Sequence, residues 1–260
     1  MSKEPKAPVP TDLQASSLAT PNYKLVCLTF TPLNSRSLFH LFLGKSHESG
    51  GAKNQNHQTL VNEAIHSLGF PARTVVSLKQ VHGNHTLILE NQASFASSST
   101  QTEADAVLTN RKDLYLTVRV ADCLPIYLYD SANQVVGLIH AGWRGTLLEI
   151  AKRALSQARM RLGLNPADCD IFFGPCIKAC CYEISPEVAV LFPQNSVQVR
   201  DNRFYLDLCQ ENHRQLIEAG IDPDKIHMAD QCTCCNPEFY YSYRRTKDKS
   251  ERMYAVLGLR

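Results

Sequence analysis

The sequence predicts an α+β (mixed α/β) fold built on mixed sheets, and three observations lead there. Short runs rich in β-branched and aromatic residues outnumber the stretches with helical spacing. Several of those runs follow one another with only a turn between them. The regular alternation of strand and helix that marks a doubly wound parallel sheet is absent.

Residues 1–22, MSKEPKAPVPTDLQASSLATPN, are polar and proline-rich without an apolar h-region. They read as neither signal peptide nor membrane anchor, and a mobile leader is expected. Residues 23–260 show no linker-like stretch and no internal repeat, and their length allows one large domain or two small ones. Tyr23 to Phe30 reads as a strand. Gly44 to Asn56 is glycine-rich and polar, a long loop of the kind that often carries function. Gln58 to Leu68 has apolar residues at 60, 61, 64, 65 and 68 ahead of Gly69, which is helical spacing. Thr74 to Leu78 and Thr86 to Leu89 are strands on either side of Lys79-Gln80-Val81-His82-Gly83, a bend free to turn a side chain into a cleft, although His82 taken alone reads as an ordinary surface or core histidine. After a Ser/Thr-rich loop from Ala93 to Thr102, Asp105 to Thr109 and Leu114 to Arg119 are further strands.

The stretch from Val118 to Glu149 organises the rest. It holds the only tryptophan, Trp143, and a cysteine set between Asp122 and Leu124-Pro125. It also holds His140, which ends an apolar run and opens His-Ala-Gly-Trp-Arg-Gly. Pro125 to Tyr129 and Val135 to Ile139 read as strands joined by the polar turn Asp130-Ser-Ala-Asn133. Such a hairpin brings Cys123 and His140 close, because the first strand starts where the second ends. Thr146-Leu-Leu-Glu149 has the form of a capping box. A helix is therefore expected from Leu147 to Leu162, with Gly163 as its C-terminal cap. Its first-turn amides together with Arg144 would make an anion-binding corner beside His140. Beyond it, Asp170 to Phe173 is a strand, Pro186 to Phe192 a short helix, Leu208 to Ala219 a helix closed by Gly220, and Arg252 to Leu259 a terminal strand.

A chain of 260 residues, 44% hydrophobic, can bury a full core. Its formal charge of +2 and lack of any basic block argue against nucleic acid as a partner. No apolar run reaches the roughly 18 residues of a spanning helix, so a soluble, cytoplasmic protein is expected, with no membrane partner. In that setting the ten cysteines read as thiols or metal ligands rather than disulfides. Cys232-x-x-Cys235 with two other cysteines could make a structural zinc site, against which stands the adjacency of Cys180 and Cys181. Taken alone, Cys123 reads as a small buried hydrophobe and His140 as a strand-end histidine. Asp122 reads either as an orienter of a ligand histidine or as a turn acid. Cys176 reads as a group near the site or as a core thiol. Of Arg244 and Arg245, alternation along a strand would turn one toward the cleft.

Five blocks carry a family resemblance: Lys79-Gln-Val-His82-Gly83, Ala121-Asp-Cys123-Leu-Pro125, His140-Ala-Gly-Trp-Arg-Gly145, Gly174-Pro-Cys-Ile177 with Cys181-Tyr-Glu183, and Ser242-Tyr-Arg-Arg245. In this order they resemble the YfiH or laccase-domain family, also labelled polyphenol oxidase, peptidoglycan editing factor and purine nucleoside phosphorylase. The resemblance implies a single catalytic domain over residues 23–260, a four-layer α/β/β/α sandwich, and a zinc ion held by His82, Cys123 and His140. It also implies phosphorolysis of adenosine, inosine and methylthioadenosine, with adenosine deamination as a side activity. Purine nucleoside and phosphate would be the partners, the protein acting as monomer or homodimer.

Three protein ligands would leave the fourth zinc position open, as in catalytic sites. Arg144 would face the phosphate. In two places the chain departs from the family, one of them the segment after Arg245, Thr246-Lys-Asp-Lys-Ser-Glu-Arg252, which lacks an expected Gly-rich turn. Where a Thr-Arg-x-Gly-Gly-like block is expected, it reads Thr31-Pro-Leu-Asn-Ser-Arg36, with Gly50-Gly51 far downstream.

Other readings use the same residues. A cysteine hydrolase, including a peptidoglycan-precursor amidase, would take Cys123 as nucleophile and His82 or His140 as base. A copper-dependent polyphenol oxidase would need several copper centres, and only one cluster of imidazole and thiol ligands falls in the matched blocks. A cytidine-deaminase-type zinc enzyme fails for want of H-x-E. A non-enzymatic binding protein is the remaining class.

Overall fold

A computed structural model describes residues 13–19, 23–30, 37–48, 57–90 and 102–260. The chain begins with β1 Leu13–Ala19, β2 Tyr23–Phe30, β3 Leu38–Glu48, α1 His57–Ser67, β4 Thr74–Val76, β5 Thr86–Leu89, β6 Ala106–Thr109, β7 Leu114–Val120, β8 Leu124–Asp130 and β9 Val135–Ala141. It continues with α2 Trp143–Leu147, α3 Ile150–Leu162, β10 Cys169–Phe173, β11 Glu183–Ile184, α4 Pro186–Ala189, β12 Val197–Arg200, β13 Arg203–Leu206, α5 Leu208–Glu218, β14 Ile226–Met228, α6 Tyr243–Thr246 and β15 Met253–Leu259.

Among the described residues these strands form two six-stranded sheets, ordered β1-β2-β3-β15-β7-β4 and β14-β10-β8-β9-β6-β5, and a small sheet β11-β13-β12. Both large sheets are mixed. β4 with β7, β5 with β6 and β10 with β14 run parallel, and the other pairs antiparallel. The inner faces pack on each other. Leu116, Val118 and Leu257 of the first sheet meet Tyr127, Val136, Leu138 and Phe172 of the second. The outer face of the first sheet, with Leu41, Tyr115 and Val256, is covered by Val61, Ala64 and Ile65 of α1. That of the second, with Ile126, Leu128 and Ile171, is covered by Ala151, Ala154 and Leu155 of α3 and Leu216 of α5. The layers are thus α/β/β/α. Burial on both faces explains why β8 and β9 are largely apolar and buried at every position instead of alternating.

Several expectations need correction. The leader is not structureless throughout: Leu13–Ala19 form β1, paired antiparallel with β2 along its whole length. An edge strand is held by main-chain hydrogen bonds, which composition does not report. The loop expected from Gly44 begins later, since β3 runs to Glu48; its remainder, like the Thr31-to-Arg36 block, Gly50-Gly51 and the Ser/Thr-rich loop up to residue 101, lies outside the described residues. β3 itself escaped the sequence reading, although Leu38 to Leu43 are all buried.

The capping box does not form. The helix starts at Trp143, breaks where Glu149 takes a left-handed φ of 57°, and resumes at Ile150. Thr146 Oγ1 accepts a hydrogen bond from Asn212 of α5 (2.9 Å), and Thr146 N donates to Gly142 O (2.8 Å). A tertiary contact has taken the hydroxyl, and the amide expected at the anion corner is spent inside α2. Gly163 caps α3 as expected, with φ 71°.

Candidate metal centre and cavity

The hairpin β8–β9 pairs Pro125 with His140 and Leu124 with Ala141, so Cys123, one residue before β8, faces the end of β9. The bend after β4 supplies His82, whose φ of 60° lies in the left-handed region and turns it inward. One donor atom from each of His82, Cys123 and His140 lies within 4.8 Å of the others. The two imidazoles meet edge to face with centroids 4.8 Å apart.

One acid positions both histidines, and it is Asp105, just ahead of β6. His140 Nδ1 donates to Asp105 Oδ1 (2.8 Å), which leaves Nε2 as the free ligand nitrogen. The same carboxylate accepts three successive amides of the bend, from Val81 (3.2 Å), His82 (3.0 Å) and Gly83 (2.7 Å). Burial would raise the Asp105 pKa, but the His140 bond and these amides hold it below the usual carboxylate range. Burial likewise pushes the Cys123 thiol up; His140 and His82 beside it outweigh that and bring it to about 6. His140, depressed by burial, is raised to about 9 by Cys123 and Asp105. Gly142 gives the ligands room, because a Cβ there would stand 3.0 Å from Cys123 Sγ and 3.1 Å from His82 Cδ2.

Asp122 does not orient a histidine. Its buried carboxylate accepts from Thr233 Oγ1 (2.7 Å), Ser242 Oγ (3.0 Å) and the Arg244 amide (2.6 Å), pinning the segment ahead of α6 to the Cys123 turn. Asp122 therefore acts as the turn acid, at φ 89°. Cys176 is a core thiol, fully buried with its Sγ 3.5 Å from Cys209 Sγ and outside the cavity lining. Arg244 lines the cavity, whereas Arg245 bonds the carbonyls of Thr233, Cys234 and Tyr240. One of the pair does turn inward, from the short helix α6 instead of a strand.

The triad lies in a cavity of about 830 Å³. Arg119, Arg144, Arg244, Lys247, Lys249 and Arg252 line it, and its one acid, Asp122, is fully engaged. Trp143, Tyr182, Tyr243 and Tyr254 add aromatic surface. Arg144 stacks on Trp143, 4.6 Å from the ring centroid. Arg119, Tyr182 and Arg252 were not anticipated; each is an ordinary residue in its own segment, and only the fold brings it to the cavity.

Residues 45–260 match the family described as multi-copper polyphenol oxidoreductase laccase. The chain belongs to that family. Among its curated relatives, the purine nucleoside phosphorylase YlmD of Geobacillus stearothermophilus is 32% identical over 207 residues, 74% of this chain and 75% of that protein. YlmD of Bacillus subtilis is 32% identical over 163 residues, covering 60% of this chain and 59% of that protein. A purine nucleoside phosphorylase of Deinococcus radiodurans is 34% identical over 197 residues, covering 74% of this chain and 73% of its own. The crystal structure of the Geobacillus YlmD superposes with a TM-score of 0.79 at 25% identity, over 96% of this chain and all of that one. The hypothetical protein YfiH of Bacillus licheniformis gives 0.75 at 25% identity, over 95% and 99%. Within this laccase-domain fold, the described residues hold two groups able to bind a metal, the His82, Cys123, His140 triad and a cluster of four cysteines. No helix among the described residues is long and apolar enough to cross a membrane.

Proposed function

We propose that this chain is a zinc-dependent purine nucleoside phosphorylase acting on adenosine, inosine and methylthioadenosine, with adenosine deamination as a side activity. The observation that carries this reading is an open His₂Cys triad in a cavity whose remaining wall is cationic and aromatic. The donor set fits zinc with a vacant fourth position. A multicopper oxidase would need several copper centres with imidazole donors, and among the described residues the triad is the one metal-binding group that contains imidazole. When bound, zinc supplies a Lewis acid beside the substrate.

The chain's own residues account for binding and orientation. Arg144 and the neighbouring cations hold phosphate and offset its charge as an oxygen attacks C1′ and the glycosidic bond to the purine breaks. The products are sugar 1-phosphate and free base. Aromatic faces such as Tyr182 and Tyr243 suit the flat purine. Asp105 keeps His82 and His140 in register.

A second reading has a specific observation behind it. Cys123, His140 and Asp105 stand in the order of a nucleophile, a base and its orienter, which suits a cysteine hydrolase acting on an amide such as a peptidoglycan precursor.

The test incubates purified protein with adenosine and inosine, with and without phosphate and a chelator. Free base and sugar 1-phosphate that need both phosphate and the metal are expected. Intact nucleoside under all conditions would sink the phosphorylase. A metal-free protein that forms a covalent adduct at Cys123 would favour the hydrolase.

A further inference from the structure

Four cysteines outside the cavity come from two segments remote in sequence. Cys180 and Cys181 lie in the turn after β10, and Cys232 and Cys235 in the turn after β14. The two segments are stitched by a parallel bridge between Cys176 and Cys232, with Thr233 N donating to Cys176 O (3.0 Å). One sulfur from each of the four lies within 4.8 Å of the rest.

We propose that Cys180, Cys181, Cys232 and Cys235 form a second, structural metal centre, a tetrathiolate zinc site. The spacings fit a metal site rather than a disulfide. Cys180 Sγ stands 3.7 Å from Cys181 Sγ and 3.6 Å from Cys235 Sγ, and Cys181 Sγ stands 3.3 Å from Cys235 Sγ. Sulfurs on the corners of a tetrahedron about an ion at ~2.3 Å are ~3.8 Å apart, against ~2.05 Å in a disulfide. Adjacent cysteines point apart in a strand. Here Cys181 N and Tyr182 N both bond Lys178 O (3.0 Å each), and that tight turn brings neighbouring sulfurs to one side.

The other half has the C-x-x-C spacing of zinc knuckles. The Lys178 amide approaches Cys232 Sγ at 3.5 Å, a main-chain donor of the kind that supports a ligating thiolate. Cys234, between the pair, lies outside the group of four sulfurs and packs against the core, as Cys181 also does. Packing accounts for Cys232 and Cys181 but not for Cys180 and Cys235, which are exposed. An all-thiolate tetrahedral set selects zinc over harder ions. Such an ion clamps the turn carrying Thr233, which holds Asp122, to the turn leading to Tyr182. It thereby steadies one wall of the cavity from behind.

The centre stands independently of the reaction proposed above, and its test does not read activity. Elemental analysis of the protein purified in zinc is expected to give two ions per chain. His140→Ala should keep one and Cys235→Ser the other, while Cys234→Ser keeps both. Loading His140→Ala with cobalt should produce the intense thiolate charge-transfer absorption of a four-sulfur site, so the wild-type cluster is read even where Cys235→Ser fails to fold. In the zinc-loaded protein Cys180 and Cys235 should resist alkylation, and a chelator should restore their reactivity. A single ion lost with His140→Ala, iron in place of zinc, or a disulfide among the four sulfurs in freshly purified protein would each overturn the assignment.

Discussion

At the scale of single residues the centre depends on one carboxylate that ligates nothing. Asp105 fixes the tautomer of His140 and the backbone of the His82 bend together, so its loss disturbs two candidate ligands at once. Asp105→Asn is expected to weaken zinc binding ~10–100-fold, read by titration against a competing chelator. An affinity equal to wild type would remove Asp105 from that role. His82, Cys123 and His140 were legible as candidates through the family blocks that hold them, since each taken alone reads as an ordinary residue. Asp105 was not. An acid at the start of a strand looks like any other, and its partner His140 lies across the sheet. Asp122 misled for the converse reason: it adjoins Cys123 in sequence, but its carboxylate faces Thr233 and Ser242.

At the scale of elements, strands and helices followed the sequence where burial set the pattern, as in the β8–β9 hairpin, and departed where a tertiary hydrogen bond intervened. The break between α2 and α3 is the clearest departure. Glu149 sits in a left-handed conformation that costs a non-glycine residue about 1 kcal/mol, and its ion pair with Lys152 (3.0 Å) is partly exposed and worth little. Glu149→Gly should therefore raise stability by about 0.5–1 kcal/mol in urea unfolding. A capping box would predict a loss of similar size, so a destabilised variant would restore that reading.

For the whole molecule, stability turns on buried polar groups that tie layers together. Asp130, fully buried at the end of β8, accepts from the amides of Ala132, Asn133 and Asn165, which joins the hairpin to the chain beyond α3. Burial would raise its pKa, but these donors and the Asn133 side chain hold it below its ordinary value. A depressed carboxylate contributes stability that is present above the unfolded value of about 4 and is lost as pH falls through the folded one. Asp130→Asn should cost ~1.5–3 kcal/mol at neutral pH, with the gap to wild type closing in acid. Unfolding curves at several pH values report it, and a gap independent of pH would show that the charge contributes nothing.

The sequence by itself determined the class of fold, most strand positions and the three candidate ligands. Apolar runs report burial, and soft ligands in distinctive blocks report a site. Only the tertiary structure decided that Asp105 orients the histidines and Asp122 does not, that Cys176 lies outside the cavity, that six cations share that cavity, and that four cysteines converge. Those facts depend on which side chains meet across tens of residues. A linear pattern records which residue stands at each position, and the packing of the two sheets fixes its neighbour.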